Sequence, residues 1–275
     1  MSNTLALSSA FLWGFAAFFG GQAARRSHLF SVLVLDQALA ALFALPFAFF
    51  LADTFIFRDF LIGGASGLFG SAGVAFFYIG LRNHMVAVAP ITGVVGAIIP
   101  VLWGLSVGDH LSLLQSIGVA LGLTSILLVS GSGWTVSGLK VGAIINGVLA
   151  GTGFGFAYII ISTTSPESAP WPVLGARLLP AIVVLLVATK APWPVVASSR
   201  ARPFIVGASF TDVFAAVLFL EALNLGLLSI SSVLSCLHPA VTVLLARFFL
   251  NERISKGQAV GLVIAVTAIS MITVG

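Results

Sequence analysis

The sequence predicts an all-α integral membrane protein, with ten transmembrane helices arranged as two inverted five-helix repeats. Three observations support this fold class. Hydrophobic residues make up 59% of the 275-residue chain and charged residues only 7%, whereas soluble domains contain roughly 25% charged residues. The apolar residues form runs long enough to cross a bilayer, for which a helix needs about 20 residues. Finally, the two halves of the chain share residues at a constant spacing.

The apolar runs are predicted to be helices because a segment surrounded by lipid must pair all its backbone groups internally. The connections between the runs are short and carry the breakers and most of the charges. Ten spans can be placed at 4–23, 29–51, 60–81, 85–106, 113–131, 141–161, 172–189, 204–223, 228–249 and 257–274. Together they fill the chain and leave no room for a soluble domain.

Lys and Arg residues are distributed unequally between alternate connections. The even-numbered connections hold only Arg58. The odd-numbered connections hold Arg25, Arg26, Arg82, Lys140, Lys190, Arg200, Arg202, Arg253 and Lys256. Because loops rich in Lys and Arg remain cytoplasmic, the odd connections are predicted to be cytoplasmic and both termini external.

Several classes of partner are excluded or not expected. The net charge is +4, but Lys and Arg are scattered at helix ends and form no basic face, so nucleic acid is not a predicted partner. Cys236 is the only cysteine and cannot form an intrachain disulfide. The glycines at 151, 153 and 155 follow no strand, so they indicate close helix packing rather than nucleotide binding. No cofactor and no metal are expected.

The internal repeat is the strongest pattern in the chain. An offset of 143 places Asp109 on Glu252, Gln115 on Gln258 and Gly118 on Gly261, and also Tyr78 on Glu221. An offset of 141 places Trp13-Gly14-Phe15 on Phe154-Gly155-Phe156. The predicted repeats are residues 1–135 and 136–275, together one membrane domain. Because each repeat has an odd number of spans, the second copy must cross the membrane in the opposite direction.

These features resemble the drug/metabolite transporter superfamily, EamA type. The resemblance rests on the two five-helix repeats, on Trp13-Gly14 in the first helix, and on an acidic residue before Gln-x-x-Gly at the end of each repeat. The first repeat has Asp109 where the family pattern has Glu. The resemblance implies a secondary transporter in the bacterial inner membrane that exports amino acids or related small amphiphilic metabolites, including aromatic amino acids, by alternating access.

Two ionisable residues lie in the middle of predicted spans and are candidate pathway residues. Asp212 and His238 each lie about 15 Å from the connection between spans 8 and 9, at 1.5 Å per residue. Ionisable groups inside the membrane are functional candidates, and an Asp facing a His could relay protons as the coupling ion. The alternative is that Asp212 bonds a neighbouring hydroxyl and that His238 stabilises a kink at Pro239.

Two other acids are predicted to be structural. Glu221 lies nine positions after Asp212, on the opposite face of the same helix, and is expected to form an interfacial ion pair with Arg177. Asp36 is expected to reach Arg25 or Arg26 at the nearby helix end.

Four aromatic residues complete the candidate site. Trp13, Tyr78, Trp103 and Tyr158 could stack on a planar, partly apolar substrate, although such residues are more often interfacial anchors or packing residues. Trp13 and Tyr158 are favoured because their helices are equivalent in the two repeats and both are expected to lie mid-helix.

Three other functions remain open. The same fold could move drugs, cations, or sugar and nucleotide conjugates, although only Arg177 and Arg247 lie inside spans to bind phosphate. A membrane assembly factor would show no substrate-dependent flux. An intramembrane enzyme would need a catalytic constellation such as paired metal ligands on one helix, and the sequence contains no HExxH.

Overall fold

The computed structural model describes residues 1–131, 141–190 and 194–275, and within these ranges it describes the side chains of all residues except 78 and 80–87. In this part of the chain the regular structure is helical. The α-helices are α1 (Ser2–Ala24), α2 (Leu29–Leu51), α3 (Phe57–Ser106), α4 (Leu113–Ser130), α5 (Val141–Ile161), α6 (Trp171–Ala188), α7 (Arg202–Leu225), α8 (Leu228–Ser235), α9 (His238–Leu250) and α10 (Lys256–Val274), with a short 3-10 helix at Pro166–Ser168.

These helices provide the ten predicted spans. Two arms of α3, Phe57–Phe77 and Val88–Ser106, are each apolar and long enough to cross a membrane, whereas α8 and α9 together make one span, Leu228–Leu250. The other seven helices supply one span each. The prediction of ten membrane helices is therefore confirmed.

The two arms of α3 fold back on each other. A Cβ on Gly73 would contact Phe154 of α5 at 3.1 Å, and a Cβ on Gly96 would contact the same residue at 3.6 Å. These glycines are 23 positions apart (96 − 73), which is about 34 Å along a straight helix. Because both meet the same turn of α5, α3 cannot be straight and its arms serve as two spans.

The ninth span is broken near its middle. Cys236 and Leu237 separate α8 from α9, and Pro239 occupies the first turn of α9. Proline has no N–H to continue the ladder of an upstream helix. The break therefore leaves two half-helices inside the bundle, with His238 at the start of the second.

Helices α4 and α10 show that the second repeat is an inverted copy of the first. A Cβ on Gly118 would lie 2.7 Å from Ile272, and one on Gly261 would lie 2.8 Å from Val129. The offset of 143 exchanges these two contacts, since 118 + 143 is 261 and 129 + 143 is 272. The two helices are antiparallel because the partner's number falls as the residue number rises.

The helix caps repeat with the same spacing. The Ser112 side chain accepts a hydrogen bond from Gln115 N at 3.1 Å, and the Ser255 side chain accepts one from Gln258 N at 3.2 Å. In each case the serine N–H donates to the glutamine Oε1, which completes a capping box. Serine and glutamine at these positions thus fix the start of the last helix of each repeat.

The repeats are interlocked rather than side by side. Helix α1 of the first repeat packs against α7, α8 and α9 of the second, while α5 of the second packs against α3 of the first. A buried cluster that includes Ala6, Val101, Val233 and Ile272 joins these layers. The core is therefore shared by both repeats.

Contacts between connections follow the predicted alternation of sides. Thr54 N donates to Glu167 O at 3.1 Å, which joins connections 2 and 6. Arg25 pairs with Glu252 at 3.6 Å, which joins connections 1 and 9. Both contacts join connections of the same parity, as the predicted alternation requires.

Candidate functional site

Asp212 is the centre of a polar cluster formed by three helices. Its Oδ1 accepts a hydrogen bond from Trp13 Nε1 of α1 at 3.0 Å, and its Oδ2 pairs with Nη2 of Arg177 of α6 at 3.0 Å. The side chains of Arg177 and Asp212 are only 18% and 27% exposed. The surrounding helices are otherwise apolar, so each charge depends on the other for stabilisation.

An aromatic wall adjoins this ion pair. Trp13 and Tyr158 stack with ring centroids 5.8 Å apart and an interplanar angle of 14°. Phe219 of α7 backs both rings, with centroids 5.3 Å from Trp13 and 4.5 Å from Tyr158. Phe219 is buried, whereas Trp13 and Tyr158 are half-buried. The wall therefore has one packed side and one side that retains exposed ring surface.

Tyr158 differs from its expected position. It lies in the last turn of α5, which ends at Ile161, and not in the middle of the helix. Its ring nevertheless packs against the buried cluster that contains Cys236, at the break between α8 and α9. Tyr158 thus connects the aromatic wall to the broken span.

Asp36 belongs to this cluster and not to the helix end. Ser209 Oγ of α7 donates to Asp36 Oδ1 at 2.7 Å, and Asp36 interacts electrostatically with Asp212 and Arg177. The expected contact with Arg25 or Arg26 was wrong, because Arg25 pairs with Glu252 and Arg26 bonds Gln22 and covers the Phe204 ring. Asp36 is therefore held against α7, the helix that carries Asp212.

The expected pairing of Asp212 with His238 is not found among the described contacts. His238 Nδ1 lies 3.2 Å from Ser235 O, across the break in the ninth span. Asp212 uses both carboxylate oxygens on Trp13 and Arg177 instead. Equal depth along two helices did not imply contact, since depth does not specify the direction in which each side chain points.

The expected ion pair between Glu221 and Arg177 was also wrong. The guanidinium of Arg177 contacts Asp212 and not Glu221. One signal could have found this arrangement: Arg177 lies six residues inside an otherwise apolar helix. A cation at that depth requires a buried partner, and its long side chain can reach a carboxylate deeper in the bundle.

The remaining candidates lie apart from this cluster. Trp103 is 46% exposed on the second arm of α3 and makes none of the ring contacts of the wall. The side chain of Tyr78 lies outside the described residues. The structure thus brings together Trp13, Tyr158 and Asp212, adds Arg177, Asp36 and Phe219, and leaves Trp103 outside.

Two cavities lie near the ends of the bundle and neither includes Asp212. The larger, about 370 Å³, is lined by Met1, Ser2, Asn3, Gln115, Leu225, Gly226, Leu227 and Ile230. The smaller, about 120 Å³, is lined by Val243, Ala246, Glu252, Arg253, Ile254, Ser255 and Gln258. Both consist mainly of connection and helix-end residues without paired buried charges, so the polar cluster is the better candidate site. In this conformation its side chains contact one another.

Comparison with known proteins gives a family and a fold. The profile described as the EamA-like transporter family matches residues 1–131 and again residues 141–274. No curated protein sequence gives a significant match. Of 26 matching chains among solved structures, one, described as the crystal structure of a protein, superposes with a TM-score of 0.78 at 15% identity. The alignment covers 99% of this chain and 97% of that one, which supports the fold alone.

Proposed function

Because the chain belongs to the EamA-like transporter family, we propose that it exports amino acids or related small amphiphilic metabolites, with aromatic amino acids as the first candidates. The chain is a multi-pass membrane protein of a family whose members move small molecules across the bilayer. The observation that carries the proposal is the Trp13–Asp212–Arg177 cluster beside an aromatic wall. Buried charges next to ring surface suit a substrate that is partly charged and partly planar.

Alternating access is the proposed mechanism. Two inverted repeats allow one central site to face each side of the membrane in turn. The broken span would serve as a hinge. Cys236 and Leu237 separate α8 from α9, and both belong to the buried cluster against which Tyr158 packs. Movement of one half-helix would change the surroundings of the aromatic wall without unfolding the span.

Protons are the proposed coupling ion. Asp212 and Asp36 are the candidate carriers, because both are acids inside the membrane and share one positive neighbour, Arg177. His238 is placed at the helix break and would act through the backbone instead. In Asp212→Asn we expect transport to lose its pH dependence, while the matched change Asp53→Asn, at an exposed site in connection 2, should retain it. Unchanged pH dependence in Asp212→Asn would remove Asp212 from the coupling step.

We propose that the protein lies in a bacterial inner membrane, with the odd connections in the cytoplasm and both termini outside. The bias of Lys and Arg supports this orientation. Protease should remove a terminal tag on intact cells. A tag that is protected until lysis would reverse the orientation.

Counterflow in proteoliposomes tests the proposed function. Vesicles preloaded with an unlabelled amino acid should accumulate the labelled one, and a panel of amino acids, nucleosides and cationic drugs should rank the substrates. Absence of flux for every amino acid would refute the proposal.

Organic cations are the second candidate substrates. The cluster contains two acids, Asp36 and Asp212, and one cation, Arg177, so it has an excess of negative charge when both acids are ionised. Flux of cationic drugs in the panel, without flux of amino acids, would favour this alternative.

A further inference from the structure

We infer that Arg177 and Asp212 are the recognition site for the two charged groups of a zwitterionic α-amino acid. Arg177 would bind the carboxylate and Asp212 the ammonium group, while the substrate side chain lies on Trp13 and Tyr158. The inference rests on the proposed function and extends it by assigning each charged residue to one charged group of the substrate.

The guanidinium of Arg177 has an unused donor directed into the protein. Its Nη2 contacts Asp212 at 3.0 Å, but its buried Nε has no hydrogen-bond partner. The Nε–H and Nη2–H groups of a guanidinium point in the same direction and can hold both oxygens of one carboxylate. Asp212 uses only the Nη2 donor of this pair, and the Nε donor is free. Arg177 can therefore accommodate a second carboxylate oxygen.

Asp212 is held in place independently of Arg177. Trp13 Nε1 donates to Asp212 Oδ1, the oxygen that Arg177 does not contact. If the pair opened, the indole N–H would keep the carboxylate in position with Oδ2 available. An ammonium group could then bind that oxygen.

A zwitterionic substrate would offset the free-energy cost of separating the buried ion pair. Separating Arg177 from Asp212 would leave two unpaired charges in an apolar region, and breaking a pair of this kind is strongly destabilising. A substrate with one positive and one negative group returns a partner to each residue. An organic cation or an organic anion returns a partner to only one of them.

Asp36 adds a second negative charge near the proposed ammonium site, whereas the proposed carboxylate site has one positive charge. It interacts electrostatically with both Asp212 and Arg177 and is held by Ser209 on the same helix as Asp212. An ammonium group at Asp212 would therefore have a second acid on a neighbouring helix, held against α7 by Ser209. The carboxylate, in contrast, depends on Arg177 alone, which makes Arg177 the residue that distinguishes an amino acid from its decarboxylated amine.

The aromatic wall adjoins the Arg177–Asp212 pair because the two share Trp13. Trp13 is both the hydrogen-bond donor to Asp212 and a member of the Trp13–Tyr158 stack. A substrate whose charged groups bind Arg177 and Asp212 would thus place its own ring next to the half-buried rings. This geometry favours aromatic over small aliphatic amino acids.

The test compares three probes that differ by one charged group. Phenylalanine, phenethylamine, which lacks the carboxylate, and 3-phenylpropionate, which lacks the ammonium group, compete with labelled phenylalanine in counterflow. If the panel ranks another amino acid first, the corresponding decarboxylated amine and deaminated acid of that amino acid are used as the analogues. For the wild type we expect each analogue to compete roughly tenfold to a hundredfold less well, the range for one charged hydrogen-bonded contact.

Variants identify the residue responsible. In Arg177→Gln, phenylalanine should lose its advantage over phenethylamine, and Arg177→Lys, which keeps the charge without the fork, should recover only part of it. The matched control Arg247→Gln, at an exposed site in the last turn of α9, should keep the wild-type discrimination. Size-exclusion chromatography checks the fold, and if Arg177→Gln aggregates, the double variant Arg177→Gln/Asp212→Asn replaces it.

The outcomes separate this inference from the proposed function. If no amino acid is transported, both fail. If phenylalanine is transported but phenethylamine competes equally well in the wild type, carboxylate recognition is refuted and the proposed function stands. The same holds if wild-type discrimination persists in Arg177→Gln or in the double variant.

Discussion

The polar cluster and its counterpart in the other repeat are built differently. The offsets of 141 and 143 place Trp13 on Phe154 and Asp212 on Phe69. Where Trp13 bonds Asp212, Phe154 instead lies against Gly73 and Gly96, and the neighbouring Gly153 would place a Cβ 2.8 Å from the Gly73 backbone. The two related regions have thus diverged. One is a charged site, and the other is a close contact between α3 and α5 through Gly73, Gly96 and Gly153, here called the glycine seam.

The difference teaches how a duplicated scaffold acquires a single site. At the glycine seam, α5 approaches α3 at backbone distance, which is favourable for helices in lipid because close packing replaces the hydrophobic effect. At the polar cluster, α1 and α7 are joined by the hydrogen bond from Trp13 to Asp212, and Arg177 of α6 adds an ion pair. The glycine seam thus contributes close helix packing, and the polar cluster contributes the charged groups.

The largest expected effect comes from filling the glycine seam. In Gly153→Leu the new side chain would overlap the Gly73 backbone and Phe69 O, and overpacking of this kind costs about 1–3 kcal/mol or more. We expect little monodisperse protein by fluorescence-detected size-exclusion chromatography. Gly20→Leu, where no atom lies within 4 Å of the added Cβ, is the control. Normal yields of Gly153→Leu would show that the seam is not needed for folding.

The second effect concerns the ion pair as a unit. Arg177→Gln and Asp212→Asn should each lower the melting temperature, because each leaves a partly buried charge without its partner. The double variant should recover part of the loss, with a coupling free energy of about 1 kcal/mol given the partial exposure of the pair. Strictly additive shifts in a thermal-shift assay would mean that the two charges do not stabilise each other.

A smaller effect on stability is expected from removing the hydrogen bond to Asp36. Ser209→Ala removes the hydroxyl that donates to Asp36 Oδ1 at 2.7 Å, and a hydrogen bond of this kind contributes about 1 kcal/mol. The melting temperature should fall by a few degrees. Ser270→Ala provides the matched control, since that exposed hydroxyl bonds only Val266 O of its own helix. Equal shifts in the two variants would contradict a specific role for Ser209.

The smallest effects test the part of the molecule in which the repeats have remained alike. Ser112→Ala and Ser255→Ala each remove one capping box, for which about 1 kcal/mol is typical. The two variants should shift the melting temperature by similar amounts. A shift in only one of them would show that the caps are equivalent in geometry but not in energy.

The sequence predicted the scaffold well because its signals are local or periodic. Apolar runs indicated the spans, and the offset of 143 paired Gln115 with Gln258, which the structure shows in equivalent capping boxes. The boundary between repeats, placed after residue 135, falls outside the described residues and stays a prediction. The 50-residue helix α3 was not expected, since the polar residues near 82–84 were interpreted as a connection.

The site could be predicted only in part. Asp212, Trp13 and Tyr158 were identified because charged and aromatic side chains stand out in apolar helices. Their partners were not, because Arg177 and Asp36 come from helices whose rotation about their axes no sequence pattern fixes. Helix depth alone suggested His238, which instead bonds Ser235 O beside the break in its own span.

The reciprocal contacts between α4 and α10 have a consequence for how the chain can be divided. Gly118 with Ile272 and Gly261 with Val129 form a self-complementary interface of the kind found in symmetric dimers. The chain can therefore be regarded as a tethered heterodimer, and the two halves, co-expressed as separate polypeptides ending at 131 and starting at 141, should assemble through this interface.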